Sequence, residues 1–160
     1  MSNKLMQEDP LRRLLEKDAV ISTLNRLFSS TDRMDWNGVR ACFAPSVVLD
    51  MTSIAGGAPE ETTPESIAAA WRESLGHLKA IHHQAGNYEV QVNGDEAAAS
   101  CYGIASHFLP NDSGENTRTF VGTYDVHLRK LGGAWRIDRF HFNLKYVLGN
   151  QDLEGNGAKD

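Results

Sequence analysis

The sequence predicts an α+β fold in which a cone-shaped, curved sheet of mixed and antiparallel strands wraps a long N-terminal helix. Three observations carry this reading. Apolar residues recur at helical spacing up to about residue 33 and again in two shorter segments before Gly76. Beyond Gly76 the period switches to alternation, in long runs divided by Asn93-Gly94-Asp95 and Gly132-Gly133. Helices first and an antiparallel meander after is the order of a segregated α+β domain, and 160 residues suffice for one sizeable core.

The elements follow in order. Asp9-Pro10 starts the first helix, with Asp capping free amides and Pro occupying the first turn, where its missing N–H is harmless. That helix runs to about Arg33 on a stripe containing Leu14, Ile21, Leu24, Leu27 and Phe28. Asp35 caps a second helix, Trp36 to about Phe43, which Ala44-Pro45 stops. Val47-Val48-Leu49 reads as a strand ending near Met51, and residues 52–63 as a loop. Thr63-Pro64-Glu65 opens a third helix that ends at Gly76. Four strands follow, at about Ile81–Val92, Glu96–Leu109, Thr117–Lys130 and Ala134–Val147. A single domain over 9–148 is expected, with residues 1–8 and 149–160 as flexible termini.

Bulk properties narrow the partners. A net charge of −5 without a basic run argues against nucleic acid. No apolar run reaches the roughly 20 residues that span a bilayer, and the polar start MSNKLMQEDP lacks a secretory h-region. Cys42 and Cys101, both in apolar settings, read as reduced core thiols. The expectation is a cytoplasmic protein with a small-molecule ligand.

One residue breaks the pattern. Asp32 lies four positions past Phe28, on the apolar stripe of the first helix. A carboxylate there is costly unless a partner meets it. Strand parity supplies candidates. The strand from Glu96 carries Ala97, Ala99, Cys101, Gly103, Ala105 and His107 on one small, apolar face. In Ile81–Val92, simple alternation puts His82 on the apolar face with Tyr88, Val90 and Val92, whereas a bulge at Gly86 would substitute His83. Phe120, Gly122, Tyr124, Val126 and Leu128 share a face of the next strand. Asp32, His82 or His83, His107 and Tyr124 thus form a polar group in an apolar space, suited to acid–base chemistry near neutral pH. His82-His83 cannot easily share one ion, and no HxH or HExxH pattern supports a metal centre. His77, His127 and His141 read as surface or interface residues, and Trp36, Trp71 and Trp135 most simply as core.

Asp32, Asp35-Trp36, Val39-Arg40, Ala44-Pro45-Ser46 and Leu49-Asp50, then His82 and His107 flanking Gly94-Asp95-Glu96, then Gly133-Ala134-Trp135, form a recognisable series. It resembles the scytalone dehydratase and SnoaL-like family of the nuclear-transport-factor-2-like superfamily, over most of residues 11–147. The resemblance implies a cystatin-like α+β barrel with two helices beside the long one. It implies catalytic roles for Asp32, His82 and His107: the histidines handle the proton next to a carbonyl and the departing hydroxyl, and the Asp holds them. Thr31 and Met51 stand where that family carries tyrosines, and Tyr124 where it carries an asparagine. Tyr124, Met51, Trp71 and Phe28 are assigned to the substrate wall. The function expected is a lyase or isomerase, without cofactor or metal, acting on a hydrophobic cyclic ketone or polyketide-like molecule. The alternative is a non-catalytic ligand-binding or assembly subunit, such as the small subunit of a ring-hydroxylating oxygenase. Relatives form dimers or trimers, and the outward Tyr102, Ile104 and Phe108 suit a homodimer or homotrimer.

Overall fold

The computed structural model describes residues 9–155. Helix α1, Pro10–Asp32, is capped by the Asp9 carboxylate, which accepts from the Leu11 amide at 3.1 Å. Helix α2 is Trp36–Ala41, capped by Asp35. Strand β1, Phe43–Asp50, leads through a one-turn helix α3, Thr52–Ala55, and a short strand β2, Glu60–Thr62, to helix α4, Pro64–Leu75. Strands β3 (Ala80–Asn93), β4 (Glu96–Phe108), β5 (Thr117–Leu131) and β6 (Ala134–Gly149) complete the order.

The strands form one mixed sheet in the order β2-β1-β6-β5-β4-β3. All neighbours are antiparallel except β1 and β6. The sheet is open, with β2 and β3 as its edges. Helix α1 packs against β3, β4 and β6 and seals the main core with Val20, Leu24, Leu27 and Phe28. Those residues follow the apolar stripe; Leu11, Leu14 and Leu15, one turn earlier, stay exposed.

Four sequence expectations change. The second helix ends at Ala41 rather than Phe43, because Phe43 is buried and pairs with Ile137 as the first residue of β1. Pro45 does not stop the chain but sits in the irregular stretch between the Phe43 and Val48 pairings, where no ladder N–H is required. The 52–63 loop contains α3 and β2. Ser53 Oγ donates to the Phe142 carbonyl at 2.6 Å and accepts from the Leu144 amide at 3.0 Å, which pins α3 to β6. The expectation of a flexible tail from Gly149 is corrected for residues 150–155. Leu153 is 1% exposed and packs in a second core with Leu78 and Ile81. The rest of the expected flexible termini, 1–8 and 156–160, lies outside the described residues.

The inner face of β4 is small throughout, and Gly103 pairs across the sheet with Gly122 of β5. These glycines make room for rings: a Cβ at Gly103 would fall inside the Tyr124 ring, and one at Gly122 would meet Phe142 and the Asn143 carbonyl. Gly103→Val is therefore expected to lower the unfolding free energy by about 1–3 kcal/mol through overpacking, read from urea denaturation. An unchanged midpoint would show that Tyr124 swings aside at no cost.

Candidate functional site

The C-terminus of α1 delivers Asp32 to the edge strand β3. Both Asp32 carboxylate oxygens accept the backbone N–H of His83, at 3.1 and 2.9 Å, and Oδ1 lies 2.6 Å from His83 Nδ1. A carboxylate accepts only, so Nδ1 carries a proton, and in the neutral ring Nε2 keeps its lone pair. The ring is stacked on Phe28 with centroids 5.5 Å apart. His83, not His82, is the inward histidine: His82 is exposed on the other side of the strand. The cause is a bulge. The β3–β4 register shifts between Gly86 and Glu89, and Asn87 takes φ +52°. Ile81, His83 and Ala85 therefore share the inner side with Tyr88 and Val90, a change of parity that uninterrupted alternation misses.

His107, 8% exposed, projects from the inner face of β4 and meets Phe120 edge-on. Its register partner on β5 is Arg118, whose Nη2 lies 3.5 Å from His107 Nδ1. Burial first, then the Arg118 charge and the nearby His83, push the His107 pKa down to about 4. A guanidinium only donates, so His107 is neutral with its proton on Nε2. With both rings neutral, the two histidines thus carry opposite tautomers. His83 presents a lone pair at Nε2, and His107 presents an N–H there.

Both rings line a cavity of about 260 Å³ beneath the sheet, slightly below the roughly 300–1,000 Å³ usual for ligand pockets. Phe28, Met51, Trp71 and Tyr124, the four residues assigned to the wall from sequence, all line it. Phe120, Phe140 and Phe142 add aromatic surface, while Thr31, Ile54, Ser74, Leu75 and Ala105 complete the lining with Arg118. Burial raises the Tyr124 phenol well above its usual range, so it stays protonated. Thr31 does not replace a pocket phenol, because its hydroxyl donates to the Leu27 carbonyl at 2.9 Å. The thiols are outside this chemistry: burial pushes Cys42 up to about 11 and Cys101 up to about 12. Among the described residues, no group of three or more His, Cys, Asp or Glu side chains could hold a metal ion.

Arg118 is the main residue that the sequence reading missed. Its signal was parity, since it sits two positions before Phe120 on the same face, but a charged residue beside a polar loop reads as solvent-facing. A larger hollow of about 430 Å³ on the opposite face of the sheet is polar and open, lined by Glu89, Asp125, His127, Arg139 and His141. Its histidines pair with Asp138 and Asp50 and are about one-third exposed, as surface residues. His77 also pairs at the surface, with Glu154 at 3.2 Å.

A family model for the SnoaL-like domain matches residues 12–141. The chain belongs to the SnoaL-like family. Solved structures described as NTF2-like and as cystatin-like share its fold. Kfla4162 from Kribbella flavida superposes with a TM-score of 0.81 at 22% identity, over 85% of this chain and 95% of that one. A proposed scytalone dehydratase from Novosphingobium aromaticivorans gives 0.75 at 14% identity, over 85% and 88%. A type-3 hexachlorocyclohexane dehydrochlorinase from Novosphingobium barchaimii gives 0.73 at 12% identity, over 89% and 95%. At these identities the likeness is one of fold. No curated protein matches the sequence. Among the described residues, no helix is long and apolar enough to cross a membrane.

The His107 environment has a thermodynamic consequence. Its pKa is lower in the folded chain, about 4, than the roughly 6.5 of an unfolded histidine. The unfolded state therefore binds the extra proton first, and stability present above pH 6.5 is lost as pH falls towards 4. His107→Gln is expected to show a shallower loss of stability across that window than the wild type, in urea unfolding at successive pH values. Coincident slopes would contradict the low pKa.

Proposed function

We propose that this SnoaL-like protein is a lyase or isomerase, independent of cofactors, that removes a proton α to the carbonyl of a small hydrophobic cyclic ketone. The observation that carries the reading is the pair of opposed tautomers in one apolar cavity: an Asp32-oriented His83 with a free Nε2, and a neutral His107 with an Nε2–H. His83 takes the role that the sequence reading gave first to His82.

In this chemistry His83 Nε2 accepts the α-proton, and the C–H electron pair moves into an enolate. Asp32 stabilises the imidazolium that results, and its grip on Nδ1 and the backbone amide fixes the ring's aim. The His107 Nε2–H donates to the oxygen on which negative charge develops, a role that suits a neutral imidazole backed by a cation. The enolate electrons then form the new double bond. Either a β-hydroxyl leaves with its electron pair and collects the proton from His83 as water, or the proton returns at another carbon. Tyr124 supplies a protonated phenol on the same wall. A water-poor aromatic lining strengthens each of these interactions. The names of two fold neighbours, a dehydratase and a dehydrochlorinase, describe eliminations of this general kind and support the reaction class. The apolar lining supports a hydrophobic substrate, with polyketide-like rings as the natural candidates.

The reading includes self-association as a homodimer or homotrimer. Tyr102, Ile104, Phe108, Tyr146 and Leu148 lie exposed on the outer side of β4 and β6, more apolar surface than a lone subunit usually leaves wet.

The test is deuterium incorporation from D2O into a panel of cyclic ketones and β-hydroxyketones, followed by NMR. His83→Ala and Asp32→Asn are each expected to slow exchange about 10²–10⁴-fold, while His82→Ala exchanges like the wild type. A His83→Ala variant that exchanged at the wild-type rate would overturn the mechanism.

A further inference from the structure

The residues after β6 reach back to the candidate site. Asn150 to Gly155 form a series of turns, anchored by Leu153 in the pocket it shares with Leu78 and Ile81. That anchor places Glu154 against Arg118. The contact is a two-pronged ion pair: Arg118 Nη1 donates to Glu154 Oε2 and Nη2 to Oε1, both at 2.8 Å. Arg118 Nη1 also reaches the Gln151 carbonyl at 3.4 Å. Paired donors on a planar fork fix the plane of the guanidinium as well as its position. No other carboxylate pairs with Arg118 among the described residues, and its Nε–H is buried there with no acceptor. Glu154 thus aims the guanidinium, with the Gln151 carbonyl and the Phe120 ring 5.5 Å away as lesser supports, and Nη2 lies 3.5 Å from His107 Nδ1.

We propose that Glu154 is a positioning residue that acts through Arg118 to hold His107 as the Nε2–H tautomer. Three links make up the device. The tail supplies an acceptor, the strand cation is aimed by it, and the buried imidazole must answer a donor at Nδ1 with a lone pair. With the guanidinium released, Nδ1 would face no fixed donor, and either ring nitrogen could carry the proton. The inference deepens the proposed function, on which its relevance to turnover rests, but the tautomer itself can be observed without any substrate.

The groups that face His107 are Arg118 on β5, His83 on β3, Glu154 on the tail and His77 before β3. Of these, Glu154 also accepts from His77, so its removal releases two side chains at once. For that reason the readout is the protonation site of the ring and not a titration midpoint. His77→Ala serves as the control that removes the second contact alone.

The experiment is long-range nitrogen–proton NMR of the histidine rings in the full 15N-labelled chain at pH 7, with His107 assigned from His107→Gln. In the wild type, His107 is expected to show one protonated-type and one unprotonated-type nitrogen, with the proton on Nε2. In Glu154→Ala, the two nitrogen shifts are expected to move towards each other, as they do when tautomers average. Glu154→Gln keeps one acceptor and is expected to move them less; it also stands in should the alanine variant fold poorly. His77→Ala is expected to leave them in place. His107 shifts that stay at wild-type values in both Glu154 variants would overturn the proposal, as would a wild-type spectrum with the proton on Nδ1. Deuterium exchange by the same variants separates the two readings. Shifts that move while exchange continues unchanged uphold the positioning and count against the acid–base chemistry of the cavity. Shifts that move together with a fall in exchange, on the order of tenfold as for other residues that orient an imidazole, uphold both.

Discussion

The contact between Asp32 and His83 is the constraint on which the rest of the molecule turns. Asp32 is the last residue of a 23-residue helix, and a negative charge at a helix C-terminus opposes the helix dipole. No basic residue in the last turn offsets it. The carboxylate is compensated from outside the helix, by the backbone N–H and ring nitrogen of one residue on β3. Each hydrogen bond to a charged acceptor is worth more than a neutral one, roughly 1.5–3 kcal/mol. The set ties the exit of α1 to β3, an edge strand of an open sheet. The same set fixes the ring that faces the cavity. Fold and site thus share one anchor, and a position that local preference disfavours is held because tertiary contacts answer it.

The three longer helices were legible because each announces its start chemically. Asp9-Pro10, Asp35 and Thr63-Pro64 all cap where expected, and their side chains accept from the amides that a cap must satisfy. The inner face of β4 was legible because its alternation is unbroken from Ala97 to His107. Strand β3 was not, because its parity changes at the bulge. Asn87 can adopt a positive φ at little cost, but nothing in the local sequence requires it to, and so the choice between His82 and His83 awaited the register against β4. Arg118 and Glu154 escaped for a different reason. A charged residue usually faces water, and the sequence cannot show that a tail leucine, Leu153, will anchor the partner that lets an arginine lie inside. The strand role of Phe43 was hidden by the proline two residues on, which a bulge accommodates.

Space in the site comes from absent side chains. Gly103 and Gly122 face each other across β4 and β5, and the neighbouring alanines keep the wall low. Into this hollow the Tyr124 ring leans over Phe28, Phe140 and Phe142, with centroids 4.8–5.3 Å apart. The rings form a continuous apolar floor at a level set by backbone rather than by flexible side chains. The polar groups are held from the rim: Asp32 by the end of a helix, Arg118 by the tail.

The two histidines show how one cavity gives the same side chain opposite characters. Both are partly or fully buried and both reach the same space. His83 meets an anion at Nδ1, so that nitrogen must donate and any added positive charge on the ring has a counter-ion in place. His107 meets a cation at the same atom, so that nitrogen must accept, and a second positive charge is opposed both by the low dielectric and by Arg118. An accepting Nε2 and a donating Nε2 are the two halves of the enolate chemistry proposed above. The partner at Nδ1, supplied by a different element in each case, is what separates the roles. It follows that the identity of the outer partner matters more to the chemistry of this cavity than the presence of two histidines. A chain that kept both rings but exchanged Arg118 for a neutral residue would retain the base and lose the bias of its opposite number.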